Sequence, residues 1–318
     1  LPNGLILKNI RVPLGVVGII YEARPDVTID ATVLCLKAGN CIILRGSSQP
    51  LNTNKKLVEI MGKALRENNF PESIIQVIPT AEREDAVKLM QLRQYVDVLI
   101  PRGGKGLISS VVKNSKVPVI ETGVGNCHIY IDNMLESISL EKIAKIVLNA
   151  KTQRPSVCNA AEKLLIHKKV AGEVLPFVLK KLEDKNVKLL GCPATRDIYP
   201  SVELASEEDW CEEYLDYKMA VKVVNSIEEA VVHINKYSSH HTESIITSSY
   251  ENSIYFTREV DSATVFVNAS TRFTDGEQFG MGAEVGISTQ KLHWRGPMGL
   301  RELTTNKFVV FGQGQIRE

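Results

Sequence analysis

The sequence predicts an α/β protein built on parallel sheet, and three observations carry that expectation. Short Val- and Ile-rich runs alternate with segments of helical spacing, Gly-containing polar turns follow several of the runs, and the rhythm restarts near residues 121–126. A length of 318 residues fits two such units at about 150 residues each. In parallel sheets of this kind ligands sit at the carboxyl ends of the strands.

The first unit opens with an apolar run at 16–21 and a second at 41–44. Leu57, Ile60, Met61, Ala64 and Leu65 then mark one face of a helix over 54–68. A strand over 74–78, a helix over 81–92 and a strand over 96–100 follow, and the Gly-rich turn Arg102, Gly103, Gly104, Lys105, Gly106 leads into a helix over 107–113. Residues 117–120 read as the next strand. In the second unit strands are expected at 128–131, 163–166, 220–224, 244–247 and 264–268. Helices are expected at 140–151, capped by Ser139, and at 173–182 and 227–235. A β-rich end at 305–312 follows a Gly- and Pro-containing connector, and such a terminal strand suits pairing between subunits, so a homo-oligomer is expected.

Composition removes several classes. With 44% hydrophobic and 24% charged residues the chain is neither disordered nor collagen-like. The difference between 38 basic and 37 acidic residues leaves +1, too little for a global field that would hold nucleic acid or an anionic membrane. No apolar run approaches the roughly 18 residues of a membrane span. The opening Leu1, Pro2, Asn3, Gly4 has neither an initiator Met nor a signal-peptide pattern, and reads as the start of a piece of something longer. Six scattered cysteines without a CxxC pair suggest reduced thiols and a cytoplasmic location, and they make no zinc site. His240 and His241 are adjacent and have no third ligand spaced nearby, so no metal is expected.

Of the six thiols Cys158 stands out, because Gln153–Ala160 is a polar loop just after a predicted helix. A free thiol is only about 3% thiolate at pH 7, and backbone amides or a cation such as Arg154 would raise that fraction. A nucleophile fits this setting, and a half-buried bystander is the alternative. The turn Leu44, Arg45, Gly46, Ser47, Ser48, Gln49 places a cation, a glycine and two hydroxyls after a strand, which suits a phosphate. It carries no acidic residue to hold a ribose 2′-hydroxyl, which favours NADP over NAD; a solvated loop is the alternative. The 102–106 turn strengthens the phosphate reading, although it is neither GxGxxG nor a Walker loop. Glu121, at a strand end, is a candidate base, or else a carboxylate that binds backbone amides. The loop from Asn268 to Gly276 suits a small zwitterion, or is a surface turn.

Together RPSVCNA (154–160), PLGVVGIIYEARPD (13–26), IPRGGKGLI (100–108), VIETGVGNCHIYID (119–132), HINKYSSHHTESI (233–245) and NASTRFTDGEQFGMGAEVGIST (268–289) resemble the γ-glutamyl phosphate reductases of the aldehyde dehydrogenase superfamily. These include the reductase half of bifunctional pyrroline-5-carboxylate synthases. The resemblance spans practically the whole chain and implies an aldehyde dehydrogenase-like fold. Residues 12–122 would form a Rossmann-like NADP-binding domain whose N-terminal helical part is missing. Residues 123–298 would form the catalytic domain, and 1–11 with 299–318 a small β oligomerisation arm.

The implied activity is NADPH-dependent reduction of γ-glutamyl phosphate to glutamate 5-semialdehyde and phosphate, the second step of proline biosynthesis, with glutamate 5-kinase as a candidate partner. By this resemblance Cys158 is the nucleophile, and Glu213 and Arg45 fall at ribose-binding positions of the superfamily. Ser47, Ser48, Arg102, Gly103, Gly104 and Lys105 complete the expected cofactor set, and Arg24, Ser270, Thr271 and Arg272 the substrate set. The superfamily's oxyanion Asn is replaced here by Ala23. One such donor is worth about 2.7–4 kcal/mol, so the amide of Cys158 or Asn159, or Arg24, would have to substitute. Glu121 matches the water-activating base of hydrolytic members, a role the acyl phosphate reaction does not use. A hydrolytic aldehyde dehydrogenase and a non-catalytic paralogue are the competing readings.

Overall fold

A computed structural model describes residues 1–317 and divides the chain into two units. Unit 1 contains Leu1–Thr122 with Gly280–Gly286 and Pro297–Glu318, and unit 2 contains Gly123–Phe279 with Ile287–Gly296.

Unit 1 begins with β1 (Ile6–Pro13), then β2 (Val16–Tyr21), α1 (Pro25–Lys37), β3 (Cys41–Arg45), α2 (Leu51–Glu67), β4 (Ile75–Val77), α3 (Arg83–Gln91), β5 (Val98–Arg102) and α4 (Lys105–Asn114). The strands form one parallel sheet in the order β4-β3-β2-β5. Strand alternation sends Val17, Ile19, Ile42, Leu44 and Ile100 to a core shared with Ala31 and Leu34 of α1. Ile20 and Leu99 point the other way, to Ala86 and Leu89 of α3 and Val111 of α4. Both faces are thus dry, as a parallel sheet requires.

Unit 2 runs through β6 (Cys127–Ile131), α5 (Leu140–Thr152), β7 (Ala161–His167), α6 (Lys168–Glu183), β8 (Lys188–Gly191), α7 (Pro193–Ile198), β9 (Glu203–Leu204), β10 (Lys218–Val224), α8 (Ile227–Tyr237), β11 (Thr242–Ile246), α9 (Tyr250–Glu259) and β12 (Thr264–Val267). Seven of its described strands form one sheet in the order β12-β11-β6-β7-β10-β8-β9, every neighbouring pair parallel. Ile129, Leu164, Val221 and Ile246 pack on α5 and α6, while Tyr130, Leu165 and Ile245 pack on α8 and α9. The register of β6 against β7 slips by one residue: Cys127 faces Ala161 but His128 faces Lys163, which leaves Glu162 as the extra residue.

After short strands β13 (Ile287–Ser288) and β14 (Gly296–Pro297), the closing strand β15 (Thr304–Phe311) returns to pair antiparallel with β1 along eight residues of each. Ile6, Ile10, Phe308 and Val310 of this two-stranded ribbon are exposed.

Three differences from the expected elements have physical causes. Helix α1 escapes the periodicity test because its apolar residues lie on several sides: Val27, Ala31 and Leu34 are buried, yet Ile29 and Val33 are exposed. Helix α9 escapes it for the opposite reason, since among its residues only Phe256 is fully buried. The strand expected at 117–120 shrinks to one bridge between Val119 and Leu99, because Pro118 has no N–H to extend a ladder.

Candidate active site

In unit 2 the expected catalytic residues Cys158 and Asn159 lie at the amino end of a strand, just ahead of β7. Helix α5 ends at Thr152, and the chain turns through residues 153–160 before entering β7, so Cys158 sits on a short turn closed by the Ala160 N–H to Val157 carbonyl bond (3.0 Å). Cys158 is half-buried, whereas Cys35 and Cys127 are fully buried. Burial pushes the Cys35 thiol up to about 12 and raises Cys127 well above the ordinary thiol range, so neither supplies thiolate near neutrality.

Two groups back the Cys158 carbonyl. Cys127, at the start of β6, donates its S–H to that oxygen at 3.1 Å. Gly125 packs so closely that a Cβ on it would fall 1.5 Å from the same oxygen. The amide of Gly125 in turn donates to a carboxylate oxygen of Glu213. Burial raises the Glu213 carboxyl above its usual range, and the Gly125 amide partly offsets this.

A cation reaches the other side of the loop by a chain reversal. Asn268, at φ 57°, lies in the left-handed region, which Asn tolerates better than most residues, and turns the chain back after β12. Residues 268–274 then run back along β11, from the Asn268 N–H to Ile245 carbonyl bond (2.8 Å) to the Thr242–Thr274 hydroxyl bond (2.9 Å). This delivers Arg272 beside the turn that carries Cys158. Its Nε donates to Gln153 Oε1 at 2.7 Å and its Nη1 to Asn159 Oδ1, so the guanidinium straddles the segment that holds Cys158. Asn159 is buried and its Nδ2 donates to the Thr274 carbonyl at 2.8 Å. Burial lowers the Arg272 pKa, and a thiolate at Cys158 would act against that shift, so the two groups lie within electrostatic reach of each other.

Three residues of the expected substrate set lie in this segment: Ser270 Oγ caps its own turn by accepting from the Arg272 N–H at 3.3 Å, Thr271 Oγ1 is buried without a hydrogen-bond partner, and Arg272 contacts the turn that carries Cys158. Gln153, Thr274, Cys127 and Gly125 belong to this arrangement and were not singled out in the sequence, since nothing in their spacing marks them.

In unit 1 the expected cofactor residues lie after β3 and β5, at the carboxyl ends of the strands. Arg45 is buried and its Nη2 donates to the carbonyls of Ala81 and Glu82 at 2.8 and 3.0 Å, leaving Nε unpartnered. Ser47 Oγ and Asn54 Nδ2 are also buried and unpartnered, and a Cβ on Gly46 would fall 2.3 Å from that Asn54 nitrogen. Three unsatisfied buried polar atoms beside a glycine whose missing Cβ lets Asn54 and Tyr21 pack close fit an anionic group such as a phosphate. Asn54 is held by Thr28 (3.1 Å), itself bonded to the Tyr21 hydroxyl (2.7 Å). Ser48 is exposed.

In the turn at 102–106 the Gly104 N–H, at the start of α4, donates to Glu22 Oε2 at 2.9 Å, so a carboxylate of the chain itself meets this amide. Lys105 opens α4 with its side chain exposed. Arg24 and Arg102 line a small cavity of about 70 Å³ together with Asp26, Asp30 and Glu284. Glu121 is half-buried in the segment that closes unit 1.

Comparison with known proteins agrees with the fold and with the expected family. The aldehyde dehydrogenase family profile matches residues 3–197. A gamma-glutamyl phosphate reductase of Clostridium perfringens (strain ATCC 13124) is 59% identical over 316 residues, which is 99% of this chain and 75% of the relative. One of Halothermothrix orenii is 56% identical over 317 residues, with 100% of this chain and 75% of the relative covered. The crystal structure of gamma-glutamyl phosphate reductase from Thermotoga maritima superposes with a TM-score of 0.97 at 53% identity, covering 99% of this chain and 76% of that one. An acetylating aldehyde dehydrogenase from Geobacillus thermoglucosidasius shares the fold at a TM-score of 0.76 and 17% identity, over 100% of this chain and 78% of that one. With half-exposed Cys158 on its turn in unit 2 and two parallel sheets of the aldehyde dehydrogenase kind, the chain belongs to the gamma-glutamyl phosphate reductases of the aldehyde dehydrogenase family.

Proposed function

We propose that the chain reduces L-glutamate 5-phosphate with NADPH to L-glutamate 5-semialdehyde and phosphate, the second step of proline biosynthesis, through an acyl group carried on Cys158. The observation that carries this is the setting of one thiol: half-exposed on a turn, backed by Gly125 and Cys127, and flanked by the half-buried guanidinium of Arg272. The Cys158 thiolate attacks the acyl carbon, a C–S bond forms, the C–O bond to phosphate breaks, and phosphate leaves with the electron pair. NADPH, when bound, supplies the hydride that reduces the acyl carbon. Arg272 favours the anionic sulfur both before attack and when the aldehyde departs.

Arg45 Nε, Ser47 Oγ and Asn54 Nδ2 are the groups that would hold a cofactor phosphate. The lack of an acidic side chain between Leu44 and Gln49 supports NADPH over NADH. Glutamate 5-kinase would supply the substrate. The exposed apolar residues of the β1–β15 ribbon support a homo-oligomer joined through it.

The reverse reaction tests the assignment. Given pyrroline-5-carboxylate and NADP⁺, NADPH is expected to form only when phosphate or arsenate is added; formation without either would favour the hydrolytic reading. A second expectation concerns Arg272. In Arg272→Ala the pKa of Cys158, read from the pH dependence of its alkylation by iodoacetamide, rises by about one unit or more. An unchanged alkylation profile would return Arg272 to a role in substrate binding alone.

A further inference from the structure

We propose that Glu213 is a positioning residue for Cys158, locked in place by the consecutive buried pair Glu162 and Lys163, and this rests on Cys158 being the nucleophile. The contact chain starts on β7, four and five residues beyond Cys158. Glu162 and Lys163 are both fully buried, and ordinary strand alternation would send neighbours to opposite faces. Here the register slip against β6 falls on Glu162, and both side chains serve the same loop, residues 212–215. Lys163 Nζ donates to the Glu212 carbonyl at 2.7 Å and lies 4.3 Å from the centre of the Tyr214 ring. Glu162 Oε1 accepts from the Leu215 N–H at 3.3 Å, and its Oε2 accepts from buried Lys151 at 3.0 Å.

The residue between these fixed points is Glu213. Leu215 at φ 54° is left-handed, a conformation a bulky residue holds only when its surroundings impose it. The loop therefore has one arrangement, with the Glu213 carboxylate accepting from the Gly125 amide. Gly125 rests directly on the Cys158 carbonyl, so the position of the Glu213 carboxylate is passed through one peptide to the nucleophile turn. Three buried charges on Lys151, Glu162 and Lys163 are costly to assemble, and they are used on a loop that touches the nucleophile's support.

A role for Glu213 toward cofactor alone predicts no change when the dinucleotide is absent, and this separates the two roles. Cofactor-free protein is treated with iodoacetamide and labelling of Cys158 is followed by peptide mass spectrometry. Glu213→Ala and Lys163→Met are each expected to change the rate constant at Cys158 by about fivefold or more, since displacement of the turn alters both access and the contact with Arg272. Glu213→Gln, whose amide oxygen still accepts from Gly125, is expected to restore the wild-type rate. Should Lys163→Met fail to fold by circular dichroism, Tyr214→Leu removes the ring under the ammonium and is expected to move the rate in the same direction. Equal rates in wild type and Glu213→Ala would overturn the positioning role while leaving the nucleophile intact. A wild-type protein that labels elsewhere but not at Cys158 would overturn both.

Discussion

Replacing Gly125 by alanine lowers kcat/KM by about 100-fold or more, without any change in a group that could touch substrate. The added Cβ would meet three backbone atoms of Cys158: the oxygen at 1.5 Å, the carbonyl carbon at 2.3 Å and the Cα at 2.6 Å. No rotamer change relieves this, because none of the three belongs to a side chain. Either residues 123–126 or the nucleophile turn must move by more than an ångström. The first is tied by the Gly123 N–H to Ile287 carbonyl bond (3.0 Å) and by Asn126 to Trp210 and Tyr237; the second by Arg272 and Asn159. The measurement is steady-state kinetics with the melting temperature recorded alongside. A control lies in the same unit: Gly172, inside α6, has nothing within 4 Å of its added Cβ. Gly172→Ala is expected to keep wild-type turnover and to gain about 0.5–1 kcal/mol of stability from helix propensity. If Gly125→Ala were as active as Gly172→Ala, the close backing of Cys158 would have no catalytic meaning.

The difference between these two glycines also shows what the sequence could reveal. Strands such as β2 and β3 were legible because a buried strand is a short Val/Ile run with little else to be. The helix at 140–151 was legible because a cap, Ser139, and an apolar stripe coincide. Gly125 was legible only as one letter of a Gly-rich turn, since the closeness of a backbone 33 residues further along is a tertiary fact. Cys158 could be singled out because a thiol in a polar loop contradicts its usual buried setting. Arg272 was visible as a cation in a polar loop, but its neighbours in the fold were not. Only the reversal at Asn268 brings it to Gln153 and Asn159, and nothing in residues 268–276 announces which neighbour the loop will meet. Arg45, Ser47 and Arg102 of unit 1 lie where the rule for parallel strands puts ligands, at the carboxyl ends, whereas Cys127, Cys158, Glu213 and Thr242 of unit 2 all precede or open their strands. Buried Lys163 and Glu162 had no signal at all, because a charged pair in a strand reads as a solvent-facing edge until the sheet order places β7 between β6 and β10.

Cys158→Ser is expected to cost about 10³-fold or more in kcat, the larger of the two losses, while the melting temperature stays close to wild type. Sulfur and oxygen differ little in size, and the fold does not depend on the side chain of a half-buried turn residue; the ability to form an anion near neutrality is what is lost. Apart from Cys41, half-buried at the start of β3 in unit 1, each of the other thiols has a setting that argues against substitution. Cys35 and Cys127 are buried and held protonated, Cys192 accepts from the Val223 N–H at 3.4 Å beside Thr195, and exposed Cys211 donates to the Glu208 carbonyl at 3.3 Å far along the chain from Arg272. Cys211→Ser is accordingly expected to leave kcat unchanged. Burst kinetics give the sharper readout: rapid mixing of the wild-type enzyme with the acyl phosphate, without reductant, should release up to one equivalent of phosphate per site as the sulfur becomes acylated, and Cys158→Ser should release none on that timescale. A serine variant with an undiminished burst would mean that phosphate departs by a route that does not pass through this sulfur, and then Arg272, Gly125 and Glu213 would be supporting a turn with no chemistry of its own.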